Sequence, residues 1–213
     1  MRSAALVVAF AAAVVGAASC LVDRRSGEFT CTSDADCAEL SDNRICDTAE
    51  GFCIPQSCPS ACNGGCDLKA KTCQIDCLTP NKCNGGVDCP DDFTCDIKCN
   101  ATNACGKVDC SNATSCTISC SGTNACDGID CNGAGDPSCT VTCSGSNACG
   151  DVTCDAAACS VSCATSGACG DISCADSCNC TATCATNGAC GAVSCPTSCG
   201  AGNGCGGCNT CGT

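Results

Sequence analysis

The sequence predicts an all-β protein: a disulfide-stapled, two-sided parallel β-solenoid of about six coils, each of about 21 residues, after a small disulfide-rich module. A cysteine-spaced unit recurs between Cys73 and Cys195 at that period. Each unit has two short alternating runs around a polar turn, as in Cys139-Thr-Val-Thr-Cys143 and Cys149-Gly-Asp-Val-Thr-Cys154. With 37 cysteines, no Trp, no Tyr and four Phe in 213 residues, the chain indicates a disulfide scaffold rather than an ordinary globular core.

Residues 1–19 have the features of a signal peptide, with one cation, an apolar run and small residues before Cys20. Small residues before a cysteine resemble the bacterial lipobox, in which the cysteine becomes the lipidated N-terminus, although Ala17 replaces the usual Leu. Removing Cys20 from 37 cysteines also leaves an even number of thiols to pair. We therefore predict a lipid-anchored tether over residues 20–30, with the membrane as partner through a lipid on Cys20. The alternative is ordinary secretion.

Residues 31–58 are predicted to form the small disulfide-rich module, because their cysteine spacing differs from that of the later repeat. The stretch from Cys20 to Cys37 resembles the opening of cysteine-rich surface lipoproteins of myxobacterial type. That resemblance implies an extracytoplasmic location, at the outer membrane or cell surface, more than it implies an activity. Residues 59–72, with irregular cysteine spacing, are predicted to be an adaptor or N-terminal cap.

The solenoid is predicted over residues 73–198. Alternation along a strand places cysteines and aliphatic residues inward and Ser or Thr outward. One internal column is then Ile118, Val141, Val161 and Ala182. Gly and Asn in the first turn of each coil supply the positive φ that tight corners need. Residues 199–213, rich in Gly and Cys, are predicted to be a C-terminal cap.

Disulfide pairs follow from the opposite directions of the two runs in one coil. The end of the first run meets the start of the second, which predicts the pairs Cys120–Cys126, Cys143–Cys149 and Cys163–Cys169. At the far side of each coil, the same rule predicts Cys116–Cys131, Cys139–Cys154 and Cys159–Cys174.

Charge and residue types exclude several function classes. The formal net charge is -13, and no Lys or Arg follows Lys107, so nucleic acid is not an expected partner. Without His or Tyr, and with scattered carboxylates, we predict no catalytic residue, no cofactor and no enzymatic activity. We also predict no metal site, since Cys-x3-Cys dominates instead of zinc spacing. Calcium is not expected on the two acidic columns, Asp88, Asp109 and Asp130 in one and Asp151 and Asp171 in the other.

The candidate binding face is a row of outward hydroxyls. Its members are Thr117, Ser119, Thr140, Thr142, Ser160, Ser162, Thr181 and Thr183. The row resembles the Thr-x-Thr array of beetle-type antifreeze solenoids, in which a flat hydroxyl and methyl lattice faces ice. That resemblance implies ice binding, although Ser replaces several Thr and charged residues occupy the first two coils.

The function predicted from the sequence is therefore that of a non-enzymatic, exported cell-surface protein with a structural or adhesive role. Its expected partners are carbohydrate, matrix or another envelope protein. Two alternatives stay open: ice binding by the hydroxyl row, and metal sequestration by thiolates.

Overall fold

The computed structural model describes residues 30–38, 44–132, 138–156, 158–175, 177 and 179–194. Its described part is nearly all β and forms a β-solenoid with a spacing of about 21 residues, as the sequence predicts. The predicted signal peptide, Cys20, the tether up to residue 29 and the C-terminal cap over residues 199–213 lie outside the described residues.

The N-terminal module has a core made of cysteine. It contains a one-turn helix, α1 (Asp34–Cys37), and an antiparallel hairpin of β1 (Arg44–Asp47) and β2 (Phe52–Pro55). Its disulfides, Cys31–Cys46 and Cys37–Cys53, form a buried cluster separate from the solenoid core. Asp36 fixes the start of α1, because its Oδ2 accepts backbone hydrogen bonds from Thr32 and Ser33 at 2.7 and 3.0 Å. The hydrogen bonds from Thr32 also lower the pKa of this carboxyl.

A short antiparallel hairpin covers the first edge of the solenoid. Strand β3 (Gly65–Asp67) pairs with β4 (Thr72–Cys77), and the disulfides Cys58–Cys66 and Cys62–Cys73 fasten the approach to it. This hairpin lies largely within the segment predicted to be an adaptor or cap. A covered edge matters because an exposed strand edge invites pairing with another chain.

Two parallel sheets make up the solenoid. The first sheet contains β4 and then β6 (Thr94–Cys99), β8 (Ser115–Cys120), β10 (Ser138–Cys143), β12 (Ala158–Cys163) and β14 (Cys180–Cys184). The second contains β5 (Val87–Asp88), β7 (Lys107–Asp109), β9 (Cys126–Asp130), β11 (Cys149–Thr153), β13 (Ile172–Ser173) and β15 (Val193–Ser194).

The strands stack in register, so that equivalent residues of successive coils form columns. In the first sheet, the first cysteines of the six coils align, namely Cys73, Cys95, Cys116, Cys139, Cys159 and Cys180. About five turns of 20 to 23 residues therefore separate the first coil from the last. The predicted aliphatic column is present, since the same register aligns Ile118, Val141, Val161 and Ala182, all at most 2% exposed.

In coils two to six, the turn after each first-sheet strand is built on two small residues. One is the Asn or Gly with positive φ, at Asn103 (51°), Asn124 (50°), Asn147 (49°), Gly167 (69°) and Gly188 (75°). The next is a fully buried alanine, Ala104, Ala125, Ala148, Ala168 or Ala189. Backbone bonds stack these turns, as from Asn147 N to Gly167 O at 2.8 Å. The positive φ predicted for these corners is therefore confirmed.

All disulfides described in the solenoid close a turn. The structure contains the three first-turn pairs that the sequence predicts, Cys120–Cys126, Cys143–Cys149 and Cys163–Cys169. The far-side predictions Cys116–Cys131, Cys139–Cys154 and Cys159–Cys174 are wrong. The far-side cysteines pair instead as Cys110–Cys116, Cys131–Cys139, Cys154–Cys159 and Cys174–Cys180.

The reason for this correction is the rise of the solenoid. The second run of a coil leads into the next coil. The turn that follows Cys131 therefore places it beside Cys139, only 8 residues further along the chain. Cys116 is already paired across the preceding turn, with Cys110, at a separation of 6 residues. Closing such short loops costs less chain entropy than closing the longer loop between Cys116 and Cys131.

A pair of glycine substitutions tests the close packing of the second-sheet corners. A Cβ at Gly150 would collide with the carbonyl oxygen of Asp127 in the coil below, whereas a Cβ at Gly128 would meet only Asp151 O at 3.4 Å. Gly150→Ala should lower the free energy of unfolding of the oxidised protein by about 1–3 kcal/mol. The control Gly128→Ala should change it by less than about 1 kcal/mol. Equal effects in denaturant titrations would contradict this packing.

Candidate functional site

The outward side of the first sheet is uncharged in coils three to six. We call this surface the hydroxyl face and define it by Ser115, Thr117, Ser119, Ser121, Ser138, Thr140, Thr142, Ser144, Ala158, Ser160, Ser162, Ala164, Thr181, Thr183 and Ala185. Its members are exposed or half-buried, and they alternate with inward cysteines and aliphatic residues. All eight residues of the predicted hydroxyl row belong to it.

Register makes the hydroxyl face a lattice. Thr117 pairs with Thr140, and Ser119 with Thr142, while β12 and β14 continue both columns. At usual sheet spacings, the face extends about 20 Å along the strands and about 14 Å across four coils. Neighbouring coils also touch through side chains, because Ser138 Oγ and Ser115 Oγ are 3.0 Å apart. The arrangement presents short hydroxyls and methyl groups at two regular spacings.

Two columns of this face were missed by the sequence analysis. Ser115 and Ser138 precede the first cysteine of their strands, and Ser121 and Ser144 follow the last one. Their signal was available, because each lies two residues from a hydroxyl already placed outward. The predicted row is too narrow because the outward alternation continues beyond the two cysteines of each Cys-x3-Cys unit.

The first two coils interrupt the lattice with charge. Gln74 and Asp76 occupy these columns in coil one, and Asp96 and Lys98 in coil two. Lys98 Nζ lies 3.1 Å from Asp96 Oδ2. This hydrogen bond, together with the charges of Asp96 and Asp76, raises the pKa of Lys98. The uncharged surface therefore begins at β8.

The opposite sheet is acidic. Register aligns Asp88, Asp109 and Asp130 in one column, as the sequence analysis placed them. Lys107 Nζ bonds Asp130 Oδ2 at 2.8 Å, and this contact raises the pKa of the lysine. Burial raises the pKa of Asp109. Hydrogen bonds from Ser111 and the charge of Lys107 outweigh burial, so the pKa of this carboxyl is lowered overall.

Several of these carboxylates are engaged with backbone amides. Asp109 Oδ1 accepts a hydrogen bond from Ser111 N at 2.9 Å. In the second acidic column, Asp151 Oδ1 accepts one from Asp171 N at 3.0 Å, and Asp171 Oδ1 accepts one from Ala192 N at 2.8 Å. Each of these three carboxylates accepts a hydrogen bond from a backbone amide of its own turn or of the next coil. They do not converge on a shared point.

Sulfur atoms also come close together between coils. Five groups of three buried cysteines, four of them in the solenoid and one in the N-terminal module, have Sγ atoms within 4.8 Å of one another, including Cys99 with Cys120 and Cys126. Every cysteine in these groups is bonded in a disulfide. A disulfide sulfur is not a thiolate, and thiolate is the form that binds soft metals. The groups therefore offer no thiolate ligands in this oxidised chain.

Two open pockets lie near the start of the solenoid. One, of about 320 Å³, is lined by Ile45 of the module and by Cys66, Leu68 and Lys69. The other, of about 300 Å³, lies between residues 60–63 and the first coil. Neither pocket borders the hydroxyl face.

No protein-family model, curated protein or solved structure matches this chain. In the part that the structure describes, no helix is both long enough and apolar enough to cross a membrane. The disulfides indicate an extracytoplasmic protein, because such bonds persist in oxidising compartments.

Proposed function

We propose that this chain is a non-enzymatic surface protein whose solenoid presents the hydroxyl face to a neutral partner. The observation that carries the proposal is the contrast between that face and the rest of the molecule. No charged residue belongs to the face, whereas the chain as a whole has a net charge of -13. The net negative charge repels polyanions, and a neutral partner that binds the uncharged face does not have to remove water from charged groups.

A structural or adhesive role fits this geometry better than catalysis. The hydroxyl face is part of a parallel sheet held in register, and it has no cleft that would exclude water from a reacting group. Asp109, Asp151 and Asp171 accept hydrogen bonds from backbone amides, which gives them a structural use. The chain also lacks histidine, the commonest general base.

The partner class that suits the face is a neutral polyhydroxyl polymer, such as an uncharged polysaccharide of a matrix or envelope. Ser and Thr hydroxyls both donate and accept, so they can pair with sugar hydroxyls in several orientations. The face has no aromatic residue on which a sugar ring could stack, so each contact is weak. Repetition over four coils compensates, because linked weak contacts add up to avidity.

Lysine substitution tests this role. Thr140→Lys with Thr142→Lys places two charges in the centre of the face and should weaken binding to an insoluble neutral β-glucan by at least about tenfold, equivalent to 1.4 kcal/mol. The matched control, Thr153→Lys with Ser173→Lys, adds the same charge to the second sheet and should bind like the parent. Co-sedimentation of oxidised protein measures both. Equal binding by the two variants, or none by the parent protein, would refute the proposal.

We further propose that Cys20 carries a lipid and holds the protein at the outer membrane or cell surface. The 30 cysteines that the structure describes are all paired. The chain has 37, so seven lie outside the described residues, an odd number. Removing Cys20 by lipidation leaves six, all of which can pair.

Replacing the proposed anchor residue gives a direct test. Cys20→Ser should abolish incorporation of an alkyne-labelled fatty acid and shift the protein from the detergent phase to the aqueous phase. The control Ser26→Ala, in the same tether, should keep the label. Labelling that persists in Cys20→Ser would exclude this residue as the anchor and leave ordinary secretion as the explanation.

Ice binding is a second candidate, favoured by the aligned Thr117 and Thr140 beside Ser119 and Thr142. A flat lattice of methyl and hydroxyl groups at two fixed spacings is able to order water in a matching plane. If this is the function, the oxidised protein should show thermal hysteresis and inhibit ice recrystallisation. Thr140→Lys with Thr142→Lys should lose both activities, and Thr153→Lys with Ser173→Lys should keep them. Absence of activity in the parent protein, or equal activity in both variants, would remove this candidate.

A further inference from the structure

The pocket of about 300 Å³ at the start of the solenoid reaches a disulfide. Its lining includes Ala61 from the adaptor, Ile75 and Val87 from the core, and Lys82, Cys83 and Asp88 around the first turn of coil one. The β3 hairpin covers only the first sheet, whereas β5 is the first strand of the second sheet. The pocket therefore opens beside the end of the core that the hairpin does not cover.

Among the first-turn disulfides of coils one to three, Cys83 is the accessible member; at the other end of the solenoid, Cys184 and Cys190 are also partly exposed. It is partly exposed, while its partner Cys77 is 0% exposed. The next two first-turn disulfides are closed to solvent, with Cys99 at 0% and Cys105 at 2%, then Cys120 at 0% and Cys126 at 2%. At this end of the solenoid, a reductant in solution therefore meets Cys83 before it meets the buried first-turn disulfides of coils two and three.

These three disulfides form a continuous column of sulfur. The Sγ atoms of Cys77, Cys99 and Cys105 lie within 4.8 Å of one another. The Sγ atoms of Cys99, Cys120 and Cys126 satisfy the same limit. Cys99 belongs to both groups, so it connects the first coil to the third. We refer to these three disulfides as the sulfur column.

We propose that the pocket at Cys83 is a reaction site for small thiols, and that thiol–disulfide exchange carries reduction from it along the sulfur column. A volume of about 300 Å³ admits a molecule of a few non-hydrogen atoms, the size of a simple thiol. Lys82 and Asp88 both line the pocket and their charges oppose each other, so the reaction depends on access to Cys83 and not on activation of the thiol.

The exchange steps balance without any added oxidant. An external thiolate attacks Cys83 Sγ, the Cys77–Cys83 bond breaks, and the electron pair leaves on Cys77. The Cys77 thiolate attacks Cys105 Sγ, which forms a Cys77–Cys105 bond and releases the thiolate of Cys99. The Cys99 thiolate then attacks Cys126 Sγ, which forms Cys99–Cys126 and releases Cys120.

A second external thiolate attacks the mixed disulfide at Cys83, which forms the disulfide of the external thiol and releases the Cys83 thiolate. Cys83 then attacks Cys77 Sγ, re-forms Cys77–Cys83 and releases Cys105, and Cys105 attacks Cys99 Sγ, re-forms Cys99–Cys105 and releases Cys126. The thiolates of Cys120 and Cys126 take protons from water, so the net result is one external disulfide and a reduced Cys120–Cys126 pair.

The inter-coil bonds in this scheme are feasible but less favourable than the native ones. The reacting Sγ atoms already lie within 4.8 Å of one another, although Cys77 has Cys99 and not Cys105 as its register partner. A bond from Cys77 to Cys105 crosses both the turn and the step between coils, so it suits disulfide geometry less well than the native pair across one turn. The inter-coil bonds should therefore be short-lived intermediates, which a rapid acid quench can trap.

Removal of the Cys77–Cys83 disulfide tests the proposal. Transfer of reduction along the sulfur column predicts slower reduction of the deeper disulfides, whereas simple closure of the end of the solenoid predicts faster reduction. In Cys77→Ser with Cys83→Ser, no sulfur connects the pocket to the column, so reduction of Cys99–Cys105 and Cys120–Cys126 by 2-mercaptoethanol should slow by about tenfold. If Cys77–Cys83 only holds the end of the solenoid closed, its removal should speed that reduction. The control Cys174→Ser with Cys180→Ser removes a turn-closing disulfide between coils five and six, away from the column, and should leave the rate unchanged.

Timed acid quenching, alkylation and non-reducing peptide mapping give the rate for each disulfide. In the parent protein, brief thiol exposure should also yield peptides joined by Cys77–Cys105 or Cys99–Cys126. An equal or faster rate in the Cys77→Ser and Cys83→Ser variant would overturn the proposal. If that variant loses its β-sheet circular dichroism, the parent protein decides: inter-coil peptides support exchange along the column, and their absence refutes it.

Discussion

The thin core of each coil is the constraint on which the rest of the structure depends. Coil four buries Val141 and Val152 between its two strands, with cysteines at the strand ends. Two aliphatic side chains per coil bury too little apolar surface to offset the entropy of ordering some 21 residues. A disulfide that closes a turn of this length contributes about 2–3 kcal/mol in the chain-entropy estimate, and these contributions do not simply add. The solenoid therefore needs the repeated turn-closing disulfides to be stable.

Because those disulfides are local, cohesion between coils comes mainly from the backbone. Bonds such as Cys126 N to Ala148 O, at 2.8 Å, join one turn to the next. Outward side chains are consequently free to differ between coils, within the limits that strand propensity sets. Coil two carries Asp96 and Lys98 where coil four carries Thr140 and Thr142, on the same backbone. The same freedom allows one sheet to be acidic and the other to present an uncharged hydroxyl face, without any change in the core.

The sequence was sufficient to predict those features that repeat. Period and alternation determine the two sheets, the column from Ile118 to Ala182, the corners at Asn124 and Asn147, and the alignment of the acidic residues. The far-side disulfides could not be read in this way, because a pair within one coil and a pair across the following turn show the same spacing pattern. Chain connectivity decides between them, and it joins Cys131 to Cys139. The antiparallel β3 hairpin has no repeat at all, so its pairing with β4 became visible only in the structure.

A core made of sulfur also differs chemically from one made of hydrocarbon. A buried aliphatic column is inert, whereas stacked disulfides can exchange with any thiolate that reaches one of them. Protection of such a core therefore depends on its ends as much as on its length. Here the β3 hairpin covers β4, but the pocket beside β5 leaves Cys83 partly exposed. Closure at each turn gives the chain its stability, and the same sulfur atoms, brought within 4.8 Å of one another by the stacking of coils, make that stability sensitive to the thiols around it.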